Sequence, residues 1–202
     1  MKKLITSIFI LTVFQLFAQV EKIDTICSEM DELIQQSIEE DIPQIAPSIT
    51  IQTELMERAI GPVEHTMTIY FDEEEREFVA NGTDETSWEN IATRRKIIFR
   101  EQSVSYDITY TYYYSEKGNL IKYVRDEKGY ECVIKTYYFE GETVIKVSSQ
   151  TQKSNKCHEE EEADTYERTS ITEDDQRIGY AILYESNRLG GILRETYQAI
   201  KD

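Results

Sequence analysis

The stretch "YYYSEKGNLIKY" (112–123) returns in altered form as "YYFEGETVIKV" (137–147). In both copies a run of aromatics leads into a short glycine-bearing turn, and an aliphatic-Ile-Lys segment follows. Aromatic and β-branched residues suit strands, and glycine adopts positive φ in a tight turn without steric cost. Each copy therefore reads as a hairpin. Upstream, Val104, Tyr106, Ile108, Tyr110, Tyr112 and Tyr114 alternate with Ser105, Asp107, Thr109 and Thr111, the period of a strand with one apolar side. Turns at Gly118, Gly129 and Gly141 then predict a meander of neighbouring antiparallel strands over 103–115, 120–125, 130–139 and 143–150.

Working outward, "VEHTMTIYFDEEEREFVANG" (63–82) predicts another hairpin. Val63, His65, Met67, Ile69 and Phe71 share one side, the acids Asp72–Glu75 form the tip, and Asn81-Gly82 marks a further turn. A strand at 49–56 precedes it, and the polar stretch 83–92 reads as a loop that tucks Trp88 onto the body. Two amphipathic helices flank the strands. The first, 25–40, places Ile26, Met30, Leu33, Ile34, Ser37 and Ile38 at three- and four-residue steps and stops before Pro43 and Pro47. The second opens on a capping-box-like Thr172 and Asp175, and carries Ile178, Ile182, Leu189, Leu193, Tyr197 and Ile200 on one stripe. Gly190-Gly191 inside it predicts a kink or a division. The central sheet is the surface available to both helices. The expected fold is α+β, an antiparallel β-meander packed on one face by the N-terminal and C-terminal helices.

The first eighteen residues read as a signal peptide rather than as part of the fold. Lys2 and Lys3 precede the apolar run 4–17, and Ala18 offers a small residue before a cut at Gln19. Charged residues follow too soon for a membrane-spanning helix, so no integral span is expected after processing. A single domain, 19–202, remains. Loss of the two lysines moves the formal charge from -17 to -19. Such a surface repels nucleic acid and suits a basic protein or a cell-envelope component as partner, or serves solubility alone. Export to the periplasm or beyond permits disulfides, but three cysteines cannot all pair within one chain. Cys132 reads as a small buried hydrophobe, and the polar surroundings of Cys27 and Cys157 favour those two as the pair.

The repeated Tyr-Tyr-aromatic, acid, glycine, aliphatic-Ile-Lys phrase resembles a class of small exported proteins of Bacteroidetes-type bacteria. Phe-Ala-Gln at 17–19 and the early amphipathic helix fit the same likeness, which covers the leader and roughly 63–147. The resemblance implies an exported α+β domain of uncharacterised function and supplies no catalytic residues.

Chemistry-bearing constellations are few. His65 shares the apolar side of its strand and reads as a core or boundary histidine. Cys157 and His158 are adjacent, so in extended chain their side chains diverge, and Glu159–Glu162 would raise the thiol's pKa. The acid runs 72–75 and 159–162 lack the converging spacing of a calcium site. No metal, cofactor or catalytic residue is assigned, and with 39 acids some close carboxylate pair is inevitable and carries no information. The tyrosines say more: nine of fourteen fall between 106 and 138. They form either a cross-strand ladder that stiffens the sheet or a Tyr-lined binding face, with Tyr113 and Tyr138 as its candidates. The expectation is a non-enzymatic exported domain that binds or builds the envelope. The alternatives are a hydrolase using an unidentified carboxylate pair and an acidic inhibitor or chaperone-like binder of cationic proteins.

Overall fold

The computed structural model describes residues 2–57, 60–79, 86–129, 132–152, 164–168 and 170–201, with the backbone alone at 2–16, 76–79, 86–89 and 201. Helix α1 spans Lys2–Glu39. Eight strands follow: β1 Ser48–Glu57, β2 Gly61–Val79, β3 Thr86–Gln102, β4 Asp107–Tyr114, β5 Leu120–Lys128, β6 Cys132–Glu140, β7 Thr143–Gln152 and β8 Asp164–Arg168. Helix α2, Glu173–Lys201, closes the chain. The strands form one sheet in sequential order, and every neighbouring pair is antiparallel. The meander and the α+β class therefore stand as the sequence reads. Among the described residues no helix is long and apolar enough to cross a membrane.

The repeated phrase has a structural meaning beyond its turns, and a third copy. Tyr113 pairs with Lys122 and Tyr114 with Leu120, so Ile121 is an extra residue in β5. Tyr138 pairs with Lys146 and Phe139 with Val144, leaving Ile145 extra in β7. Tyr70 pairs with Lys96 and Phe71 with Arg94, leaving Arg95 extra in β3. Each is a β-bulge, in which two residues of one strand oppose one of the next. A tyrosine-aromatic dipeptide thus faces a three-residue segment ending in lysine three times along the sheet. The bulges lie side by side and align Tyr70, Lys96, Tyr113, Lys122, Tyr138 and Lys146 in one row across six strands. Gly118 and Gly141 turn the chain at φ +73° and +59°, where a side chain would be strained.

The two helices lie on opposite faces of the sheet, which corrects the expectation of one covered face. α1 buries Val20, Ile23, Cys27, Met30 and Ile34 against Tyr113, Tyr138 and Ile145. α2 buries Ile182, Leu189, Leu193 and Tyr197 against the other side of the same strands, including Tyr112, Tyr114, Phe139 and Val144. The sequence pattern does not mark the second face as a core because tyrosine rings and lysine stems with polar tips dominate it, with Ile121, Val124 and Ile145 among them. α1's buried stripe is also turned relative to the expected one. Cys27 lies within it at 3% exposure, while Leu33 and Ile38 are exposed.

Other boundaries moved for identifiable reasons. β2 runs straight through Asp72–Glu75, which are exposed strand residues rather than a hairpin tip. The pairings of β1 with β2 and of β3 with β4 stop at Tyr70 and Lys96, so 71–79 and 86–95 form a two-stranded arm beyond the main sheet. Acids are tolerated where a strand meets water, and the arm turns the described part of the expected loop at 83–92 into strand. The long strand expected from 103 begins only at Asp107. Ser103 accepts from the backbone N–H groups of Ser105 and Tyr106 in a turn that leaves Val104 91% exposed.

α2 begins with a reciprocal cap. Thr172 N–H donates to Asp175 Oδ2 at 2.8 Å, and Asp175 N–H donates to Thr172 Oγ1 at 3.2 Å. Arg168 of β8 also donates to Asp175. The helix is continuous through Gly190-Gly191, so the glycines do not divide it. Gly179 allows close approach, since a Cβ there would lie 2.3 Å from Val144 Cγ2. Cys27 is a free thiol and Cys132 is half-buried and disulfide-bonded, which overturns the expected pairing of Cys27. Cys157, His158, the acids 159–162 and the Asn81-Gly82 turn lie outside the described residues.

Candidate functional site

Tyr113 and Tyr138, the residues singled out as a binding face, stand next to Lys122 in the bulge-aligned row beneath α1. Tyr113 Oη donates to Asp31 Oδ2 at 2.9 Å, and Tyr138 Oη donates to Asp24 Oδ1 at 3.1 Å. The lysines between them meet the same acids: Lys96 Nζ lies 2.5 Å from Asp31 Oδ1, and Lys122 Nζ 2.6 Å from Asp24 Oδ1. Asp24 and Asp31 are seven residues apart, two helical turns, so one face of α1 presents both carboxylates to the sheet. Lys96 and Lys122 stand 4.9 and 5.9 Å from the Tyr113 centroid, and Lys122 and Lys146 stand 5.2 and 5.5 Å from that of Tyr138. Lys146 pairs with Glu167 at 3.1 Å.

Burial, and after it the facing Asp31 or Asp24, pushes both phenols well above the ordinary tyrosine value, so they remain protonated donors. Burial likewise pushes the Cys27 thiol up to about 12, despite the opposing charge of Lys122. A thiol held in that form is no nucleophile at neutral pH. The middle of the row, Lys96, Tyr113, Lys122 and Tyr138, is a clasp that fastens the chain's own helix, and its hydroxyls and ammonium groups are engaged in doing so.

The other face carries an opening. Between the arm end of β3 and the C-terminal half of α2 lies a cavity of about 1170 Å3, against about 600 Å3 for a groove beside α1. Arg94 stands in its wall. Nη1 donates to Ser186 O at 2.9 Å, Nη2 to Asn187 Oδ1 at 3.0 Å and Nε to Gly118 O at 3.3 Å. The guanidinium carbon lies 4.6 Å from the Tyr114 centroid. Gly190 makes room for this arrangement: a Cβ there would fall 1.7 Å from Arg94 Nη1, and any side chain would displace the guanidinium. At Gly191 a Cβ would meet nothing within 4 Å, so this glycine widens the cleft. Asn90, Thr93, Arg194 and Gln198 complete its polar lining over an apolar wall of Leu193 and Tyr197.

Sequence reasoning passed over Arg94, which lies in a stretch for which no element was proposed. The one available signal was the adjacent glycines of a long helix, which cost helix stability unless a close approach needs them. His65 is half-buried with its ring 5.7 Å from Phe99, the setting expected of a boundary histidine. Among the described residues no group of three or more His, Cys, Asp or Glu is placed to hold a metal. Comparison with protein-family models, with curated proteins and with solved structures gives no match.

Proposed function

We propose that the chain is an exported, non-enzymatic domain that acts by binding, and that its ligand enters the cleft between β3 and α2. The lining of that cleft carries the reading: its described residues include two arginines and three carboxamides and no aspartate or glutamate. A hydrolase working through a carboxylate pair would need two acids facing each other across such a space. Cationic and amide donors over an apolar wall instead make a recognition surface. Export draws support from two observations. The disulfide at Cys132 suits an oxidising compartment. Among the described side chains, the buried stripe of α1 starts at Val20, so a cut near Gln19 keeps every described buried side chain of that helix.

The test is to titrate the chain beginning at Gln19 with small polar molecules and follow backbone amide shifts. Perturbations clustered at Asn90–Arg94 and Asn187–Gln198 are expected. A hydrolase screen that finds activity abolished by a single acidic substitution would overturn the reading.

A further inference from the structure

The cleft's charge and donor set reach further than binding in general. Resting on the reading above, we infer that it takes a hydroxyl-rich ligand bearing a carboxylate, the chemistry of an acidic sugar, with Arg94 and Arg194 facing the carboxylate.

Charge is the first ground. In a chain of net charge -17, the charged residues among the described lining are Arg94 and Arg194. The three hydrogen bonds of Arg94 all end on neutral oxygens, two main-chain carbonyls and one carboxamide. Arg194 has no ion pair among the described residues, whereas Arg100, Arg168 and Arg188 each sit against a carboxylate. Two cations with no carboxylate partner among the described residues, beside one cavity, make a positive spot on an acidic protein, and such a spot attracts an anion from solution.

Preorganisation is the second ground. A guanidinium has five N–H donors in a planar fork that matches a carboxylate. Three of them are spent on pinning Arg94 to the β4–β5 turn and to α2, so its position is set before a ligand arrives and little side-chain entropy is lost on binding. A purely structural tie would account for those three bonds and for Gly190. It would not account for Gly191, which lines the cleft where an added Cβ would meet nothing within 4 Å, although glycine is a poorer helix former than alanine.

The remaining lining decides the body of the ligand. Asn90, Gln198 and the amide nitrogen of Asn187 offer donors and acceptors of the kind that read hydroxyl groups. The buried Leu193 and Tyr197 give a sugar's less polar face a wall. Pockets for small molecules run from roughly 300 to 1,000 Å3, so about 1170 Å3 accommodates more than one ring.

The experiment is calorimetric titration of the chain from Gln19 with three probes: digalacturonate, its neutral counterpart galactobiose, and succinate, which has carboxylates without hydroxyls. Digalacturonate should bind, and each of the other two should bind at least about tenfold more weakly, the scale of one lost charge-assisted hydrogen bond. Arg194→Gln should weaken digalacturonate by roughly the same factor and flatten its salt dependence. Gly191→Leu should abolish binding while melting no lower than the parent chain, because the site has room and leucine is the better helix former. Galactobiose binding as tightly as digalacturonate, and blocked by Gly191→Leu, would overturn the acidic ligand but keep the cleft as a binding site. Succinate binding best would overturn the sugar body. Failure of digalacturonate to bind, or binding that survives Gly191→Leu, would overturn the inference outright.

Discussion

The two faces of the sheet are fastened to their helices by different physics. Under α2 the contacts are apolar and deep: Tyr114, Phe139, Ile69, Ile97 and Val144 are at most 1% exposed. Tyr112, Tyr123 and Tyr137 form a ring ladder there, with centroid separations of 5.1 and 6.1 Å. Under α1 the row alternates tyrosine and lysine, and two aspartates of the helix satisfy its four middle members. The same strands supply both faces, because successive side chains point opposite ways. The bulges add a second consecutive residue to the α1 side three times, giving it Arg95, Ile121 and Ile145. A repeated phrase that first looks like a turn signal thus also builds a second interface.

Alkaline pH should break both faces and gives the largest effect. Burial raises Tyr112 and Tyr123 on the α2 side, and Tyr113 and Tyr138 on the α1 side, well above the ordinary value. In the unfolded chain these phenols ionise at about pH 10. The unfolded state therefore loses protons first, so stability present below that pH falls as pH rises beyond it. The part of the tyrosinate absorbance that comes from these four buried phenols should appear together with loss of secondary structure, in one transition.

Phe139→Ala strikes the α2 face alone. The ring is 1% exposed, and its removal should cost about 3–5 kcal/mol in a urea melt. Asp31→Asn strikes the α1 face alone and should cost less, about 1–2 kcal/mol. It leaves the ammonium of Lys96, at 8% residue exposure, without its counter-charge, but Asp31 itself is 44% exposed and water screens part of the loss. The difference between the variants should widen in high salt, which screens the exposed end of the pair and so lowers the cost of Asp31→Asn, while the cost of Phe139→Ala does not fall.

Much of this was legible in the sequence, and the failures have physical causes. Alternation and glycine placed β4 to β7 in order and within four residues at each end, because tight hairpins with one apolar side write their period locally. Thr172 and Asp175 announced the start of α2 for the same reason. The third copy of the phrase was hidden: Tyr70-Phe71 and Arg94-Arg95-Lys96 are separated by the long arm, and arginine stands where the other copies have isoleucine. Asp72–Glu75 looked like a tip because a strand wet on its acidic side carries no apolar period. Tyr113 and Tyr138 were found by parity, but parity cannot tell whether a helix or a ligand covers them. Arg94 was missed because its site is made by α2 crossing β3, a contact between residues nearly a hundred positions apart.

That the sheet is covered on both faces is tested most directly by urea melts of Tyr113→Ala and Tyr110→Ala. Tyr113 is 9% exposed beneath α1, whereas Tyr110 lies on the α2 side but is only half-buried. Tyr113→Ala should cost about 3–5 kcal/mol and Tyr110→Ala about 1–2 kcal/mol. The reverse order, with Tyr113→Ala costing less than half as much as Tyr110→Ala, would mean that α1 does not cover its face and that the sheet has one buried side.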